Sequence, residues 1–216
     1  MRRLTLILIL LAASGCAAPP RPAAVSPPPV AATGPTHDVV SAEVVIRVHP
    51  DGPLAGLGHS HLIRSDALGG TIALGEPVGA TSFALELPLA SLVVDPPGAA
   101  ATVNDDRRAA TRRNMLGPAL LDADRFPLLD IRADGIEGGP QQFVARVQVG
   151  IRGEHRPIRV PVTVIVAGDL LTASGRLALS HRELGLEPYS VALGALRVAE
   201  AIEVEFRLAA RRRSGA

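Results

Sequence analysis

The sequence predicts an antiparallel β domain, a sandwich or a barrel, with one inserted helix. Three observations carry this. Apolar residues alternate with polar ones over many short runs. Turn-forming clusters separate those runs. A single stretch, "NDDRRAATRRNMLGPALLD", has helical spacing instead. Alternating faces argue against a parallel sheet, whose strands are apolar on both sides.

The runs can be taken in order. In "EVVIRVH", Val44, Ile46 and Val48 oppose Glu43, Val45 and Arg47. In "SFALELPL", Phe83, Leu85, Leu87 and Leu89 share a face. The helical stretch follows, with Asn104 as N-cap, Asp105 and Asp106 in the first turn, and Pro118 to close or kink it. In "FVARVQVG", Phe143, Ala145, Val147 and Val149 alternate with polar residues. "PIRVPVTVIVAGD" sets Ile158, Val160, Val162, Val164 and Val166 on one side, and "LLTASGRLALS" pairs Leu177 with Leu179. In "AIEVEFRLA", Ile202, Val204, Phe206 and Leu208 face away from Glu203, Glu205 and Arg207. Turns are expected at 49–53, 68–70, 95–98, 134–140, 152–157 and 167–169. A closed barrel of about eight strands leaves an interior that side chains fill or one ligand occupies. Small aliphatic linings leave room for an apolar ligand, although a packed sandwich core would show the same alternation.

The first forty residues are of another kind. Arg2 and Arg3 precede "LTLILILLAA", ten apolar residues, and then "SGC". A charged start, a short apolar run and small residues before a cut make an export signal over 1–15, too short to span a bilayer. Cys16 is the only cysteine, so no disulfide forms within the chain. "LAASGC" resembles the lipobox of bacterial lipoproteins, which implies acylation of Cys16. Two or more acyl chains hold a protein stably on a membrane. Ala17, where a retention signal would carry Asp, points by analogy to the outer membrane, with the domain facing the periplasm. Residues 16–38 form an Ala/Pro-rich tether, in which seven of the 19 prolines fall. Residues 39–216 make one domain.

Charge excludes a class of partner. There are no lysines, and without Arg2 and Arg3 the chain sets 20 arginines against 21 acidic residues, a net charge of −1. With aromatics at 2%, neither a basic patch nor a stacking platform for nucleic acid is expected.

The histidines of "GLGHSHLIRS" are the most chemical-looking feature. His59 and His61, two apart, share a side in an extended segment and are candidate metal ligands. A third ligand would have to come from His49, His181, Glu183 or Asp66. Ser60 and Ser180 lie in no nucleophile elbow, and catalysis is not expected. Tyr189, the only tyrosine, is a candidate for capping a ligand headgroup.

Several segments resemble the YceI-like family of exported proteins. They are "VVIRVHPDGPLAGLGHSHLIRSDALGGTIAL", "FALELPLASLVVD", "RRNMLGPALLDADRFPLLDIRAD", "VGIRGEHRPIRVPVTV" and "LSHRELGLEPYSVALGALRVAEAIEVEFRL", spanning about 40–209. The resemblance implies a lipocalin-like antiparallel barrel of about eight strands around a lipid-sized cavity. It implies a binding protein, not an enzyme, whose apolar amphiphile is an isoprenoid, a quinone or a fatty acid. Leu184 stands where the family usually has Phe before the glycine. The residues expected to line the ligand are Ile46, Val48, Leu85, Leu87, Val147, Val149, Val162, Val164, Tyr189, Val204 and Phe206. The expected partners are that ligand and, through Cys16, the membrane; a homodimer is a candidate assembly. A metal-binding protein using His59 and His61 and a filled structural domain are the alternatives.

Overall fold

A computed structural model describes residues 34–99 and 103–214. The export signal, Cys16 and most of the tether lie outside the described residues. The elements are β1 (Thr36–Val48), β2 (Pro50–Asp51), β3 (His61–Ser65), β4 (Gly69–Ala73), β5 (Ser82–Pro88), β6 (Val93–Val94), α1 (Asp105–Leu116), β7 (Leu128–Gly138), β8 (Gln142–Ile151), β9 (Glu154–Ala167), β10 (Leu170–Ser180), β11 (Ser190–Val191), β12 (Leu196–Val198) and β13 (Ala201–Arg212).

Eight of these close into a barrel in the order β1–β13–β10–β9–β8–β7–β5–β4 and back to β1, every neighbour antiparallel. Closure comes from the first and last strands, paired from His37↔Arg212 to Arg47↔Glu203 around one bulge. Closing the sheet removes the exposed edges that an open sheet would offer to other chains. The far half of β1 also pairs with β3, and β3 with β6. A small sheet, β11–β12–β2, sits apart. Among the described residues no helix is long and apolar enough to cross a membrane.

The strands sit where alternation puts them, with three differences. β1 starts at Thr36, so Thr36–Asp38 pair with β4 instead of ending the tether. The turn expected at 134–140 is mostly strand: β7 runs to Gly138, and a bulge between Ala133 and Gly135 shifts its phase by one residue. Such a bulge hides a strand from any test for strict alternation. The turn expected at 152–157 shrinks to Arg152 and Gly153, both at positive φ (52° and 74°) as a two-residue hairpin requires. The helix matches its signals. The Asn104 side chain accepts from the Arg107 N–H at 3.0 Å, and α1 ends at Leu116, before Gly117 and Pro118. None of its side chains is buried. It is held to the barrel by Arg112, which donates to the carbonyls of Leu92 (3.1 Å) and Ala90 (2.7 Å).

The two ends of the barrel are built differently. At one, Leu171 is 1% exposed, and Ala210 and His37 are fully buried. At the other, the turn after β10 folds inward, burying Leu184 and Leu186. Reciprocal bonds set this turn. The Ser180 hydroxyl accepts from the Glu183 N–H (3.1 Å), while the Glu183 carboxylate accepts from the Ser180 N–H (2.7 Å) and hydroxyl (2.9 Å). The His181 carbonyl then accepts from the N–H groups of Leu184 and Leu186, at 3.0 and 2.8 Å.

The Ser180 N–H, and after it the Ser180 hydroxyl, hold the Glu183 carboxyl below the ordinary glutamate value of 4.5. The folded protein therefore keeps this charge to lower pH than the unfolded chain does. Its stabilisation is full above that ordinary value and is lost as pH falls through the lowered folded value. Glu183→Ala is expected to lower the melting temperature at pH 7. The gap to the unaltered protein should shrink on acidification below pH 4.5; thermal melts showing an unchanged gap at every pH contradict this role.

Candidate ligand-binding cavity

The inward faces of the eight strands do not fill the barrel. They line a cavity of about 220 Å³. Of the residues expected to line it, nine do: Ile46 of β1, Leu85 and Leu87 of β5, Val147 and Val149 of β8, Val162 and Val164 of β9, and Val204 and Phe206 of β13. Two do not. Val48 shares the face of Ile46 but lies beyond the cavity, opposite His61, half-buried against the core. Tyr189 leads into the small outer sheet, 36% exposed, with its carbonyl accepting from the Val198 N–H at 2.9 Å. It is not among the residues that line the cavity.

Other lining residues escaped the sequence reading. Leu129 and Ile131 come from β7, whose alternation the bulge interrupts, and Leu68 and Leu184 come from turns. Apolar residues inside turn segments are the available signal for the latter pair, because a turn on the surface has little reason to carry a large aliphatic side chain. Ala145 and Ala173 are buried in the wall, and their short side chains leave part of the interior empty.

The lining is aliphatic or aromatic except for Thr81, whose hydroxyl accepts from the Gly75 N–H at 3.0 Å and keeps one O–H to donate. A polar group inside the cavity would therefore lose its water for at most one partner. Only an apolar tail suits this interior, with any polar head left at the wall or rim. A larger space of about 320 Å³ lies outside the wall, between β1, β3, β13 and residues 96–99. It is bordered by Glu43, Arg47, Arg64, Glu205 and Arg207, and encloses no apolar chamber.

The histidines are drawn into separate pairs. The Nδ1 of His61 lies 2.7 Å from an oxygen of buried Asp95, whose other oxygen accepts from the Leu62 N–H at 2.9 Å. His59 meets Arg107 of α1 at 2.8 Å, and His49 meets Ser60 at 2.9 Å. His181 is buried, its Nδ1 3.1 Å from the Glu200 carbonyl oxygen. Among the described residues no three His, Cys, Asp or Glu side chains gather as a metal set would, so His59 and His61 acquire no third ligand. Thr111 Oγ1 of α1 stands 3.4 Å from His61 Nε2. The Asp95–His61 pair instead ties β3 to the segment leading from β6 toward α1.

With this geometry in hand, the model of the YceI-like domain matches residues 55–210. The chain belongs to the YceI-like family. Among solved structures, BcnA of Burkholderia cenocepacia superposes with a TM-score of 0.59 at 14% identity, over 78% of this chain and 95% of that one. A polyisoprenoid-binding domain from Saccharophagus degradans, implicated in plant cell wall breakdown, gives 0.56 at 14%, over 82% and 98%. The Campylobacter jejuni YceI protein gives 0.50 at 11%, over 68% and 82%. These likenesses establish the fold. No functionally curated protein matches the chain.

Leu184 lines the cavity. The hollow should also register in stability. Leu89 is buried and does not border the cavity, so Leu89→Ala should cost about 2–5 kcal/mol. Leu177, half-buried, already faces open space; Leu177→Ala should cost less than about half of that, because part of its cavity cost is already present. Equal costs in denaturant titrations would mean a filled core.

Proposed function

We propose that the protein is an envelope lipoprotein that binds or carries an apolar amphiphile of isoprenoid, quinone or fatty-acid type inside its barrel. The observation that carries this is the closed wall around a cavity whose lone polar lining group is already bonded. Each methylene moved from water into such a lining contributes about 0.8 kcal/mol, so tail length is the main source of affinity. At about 220 Å³ the space falls below the ~300–1,000 Å³ of typical ligand pockets. A long tail therefore requires the lining side chains to change rotamer. The likeness to a domain described as polyisoprenoid-binding supports a long tail. The aliphatic lining, with Leu184 where a ring is usual, keeps a fatty acid in the same class.

The envelope location rests on the sequence before the domain: the apolar run, the small residues and Cys16. A lipidated Cys16 with a Pro/Ala-rich tether would keep the barrel within reach of a membrane from which it could take its cargo.

Native mass spectrometry of the protein drawn from its own envelope extract should show an added mass that extracts into organic solvent and has the composition of a single-headed amphiphile. A spectrum of bare protein from that source contradicts the binding reading. Cys16→Ser should release the protein from the membrane fraction; continued sedimentation with membranes contradicts the anchor and leaves the cavity reading intact.

A further inference from the structure

The wall between β9 and β10 is only half zipped. The two strands pair from Ala167↔Leu170 to Thr163↔Ser174, and there the pairing stops. Both strands continue, β9 back to Glu154 and β10 on to Ser180. On their other sides they remain paired throughout this stretch, β9 with β8 and β10 with β13.

Two prolines explain the stop. The hairpin turns on Gly168 and Asp169, so Ala167 and Leu170 form its hydrogen-bonded rung. Every second residue back along β9 then aims its N–H and C=O at β10: Ile165, Thr163, Pro161, Arg159 and Pro157. The intervening residues face β8, as shown by the Val164 N–H donating to the Gln141 carbonyl at 2.8 Å. Continued register would set Pro161 opposite Arg176 and Pro157 opposite Ser180. Neither proline has an N–H to donate, and proline is tolerated in a sheet only along such an unpaired edge.

The seam is short and bounded. At its lower limit a Cβ on Gly175 would run into the Pro161 carbonyl and the Phe206 ring; at its upper limit the Arg156 guanidinium lies against Gly185. Between these, Ile158 and Val160 on one side and Leu177 and Leu179 on the other all line the cavity. Outside, Arg159 and Arg176 form the lips, paired with Glu137 and Glu205 and largely exposed. The other interruption beside the cavity, at residues 66–68 between β3 and β4, is plugged by buried Leu68.

We infer that the β9–β10 seam is the portal through which the amphiphile's tail passes. This rests on the reading that the cavity holds such a tail. At one end the turn after β10 lies across the cavity and puts Leu184 into its lining. Parting the seam breaks no ladder hydrogen bond. A tail can slide in from the side while its polar head travels in water along the arginine lips, so the head is never desolvated. Pro157 and Pro161 are then positioning residues for exchange: they keep the seam unzipped and touch no ligand.

The test uses the full chain carrying Cys16→Ser, which leaves introduced cysteines as the only thiols. Arg159→Cys and Ala178→Cys are joined by a short bis-maleimide, and uptake of a fluorescent conjugated polyene fatty acid is followed by stopped flow. Joining should slow association and dissociation together, by roughly tenfold or more, with equilibrium affinity unchanged, because a route alters rates and not the end state. The same linker across Thr163→Cys and Ser174→Cys, where the strands are already paired, should leave both rates unchanged. Pro157→Thr with Pro161→Thr, which restores both donors, should slow exchange without any linker. Uptake as fast in the joined protein as in the unjoined one overturns the portal while the cavity reading stands. No uptake by the unjoined protein overturns the cavity reading, and the portal with it.

Discussion

The pairing of β1 with β13 is the constraint on which the rest of the molecule depends. These strands begin and end the domain, and their ladder turns a curved sheet into a closed wall. Without it, the alternating faces of the other strands would enclose nothing. The inward rows of Val44 and Ile46 on one strand and Val204, Phe206 and Leu208 on the other meet only because this register holds. One residue of slip would turn one of the two rows outward. Joining strands so far apart in sequence carries a loop-closure cost that local hairpins do not. The hairpins β7–β8, β8–β9 and β9–β10 offset it by pre-forming much of the wall from short-range contacts.

Much of this architecture could be read from the chain because the outer face of the wall meets water. Water on one side and an apolar interior on the other enforce period-two alternation, and β5, β8, β9, β10 and β13 carry it plainly. Legibility ended where the backbone broke that rhythm. β7 has Leu129 and Ile131 in phase, then a bulge puts Ile136 one residue out. β3 and β4 are five residues each and flank Leu68, a buried residue in a turn. The candidate site was legible to the same extent. The strand-borne lining follows from alternation, whereas Val48 lies beyond the cavity because alternation fixes a side and not a height along the barrel; Tyr189, singled out as the lone tyrosine, leads into the small outer sheet. The histidines of "GLGHSHLIRS" carried no sequence mark of their partners, since Asp95 and Arg107 lie far along the chain.

The physical character of the interior follows from what is absent from its lining and from what its polar neighbours do. Asp95, Glu183 and Arg112 are each committed to backbone or side-chain partners around the rim. Polar groups thus hold the covers in place, and aliphatic groups face inward. Volume comes from alanines at 145 and 173 and from the scarcity of rings, which leaves gaps that close packing would otherwise fill. The two prolines of β9 belong to the same scheme. They weaken one strand boundary where weakness gives access to the hollow, while the boundaries of β13 with β1 and β10 stay zipped and keep the barrel shut.

The central claim is that an apolar tail lies inside this barrel. A crystal structure of the protein with a fatty acid brominated along its tail tests it most directly, because bromine can be located by anomalous scattering independently of the surrounding density. The bromine is expected within the barrel, among Leu177, Val160 and Val204. Bromine found instead in the charged outer space beside Arg47 and Arg64, or on no ordered site, contradicts the claim.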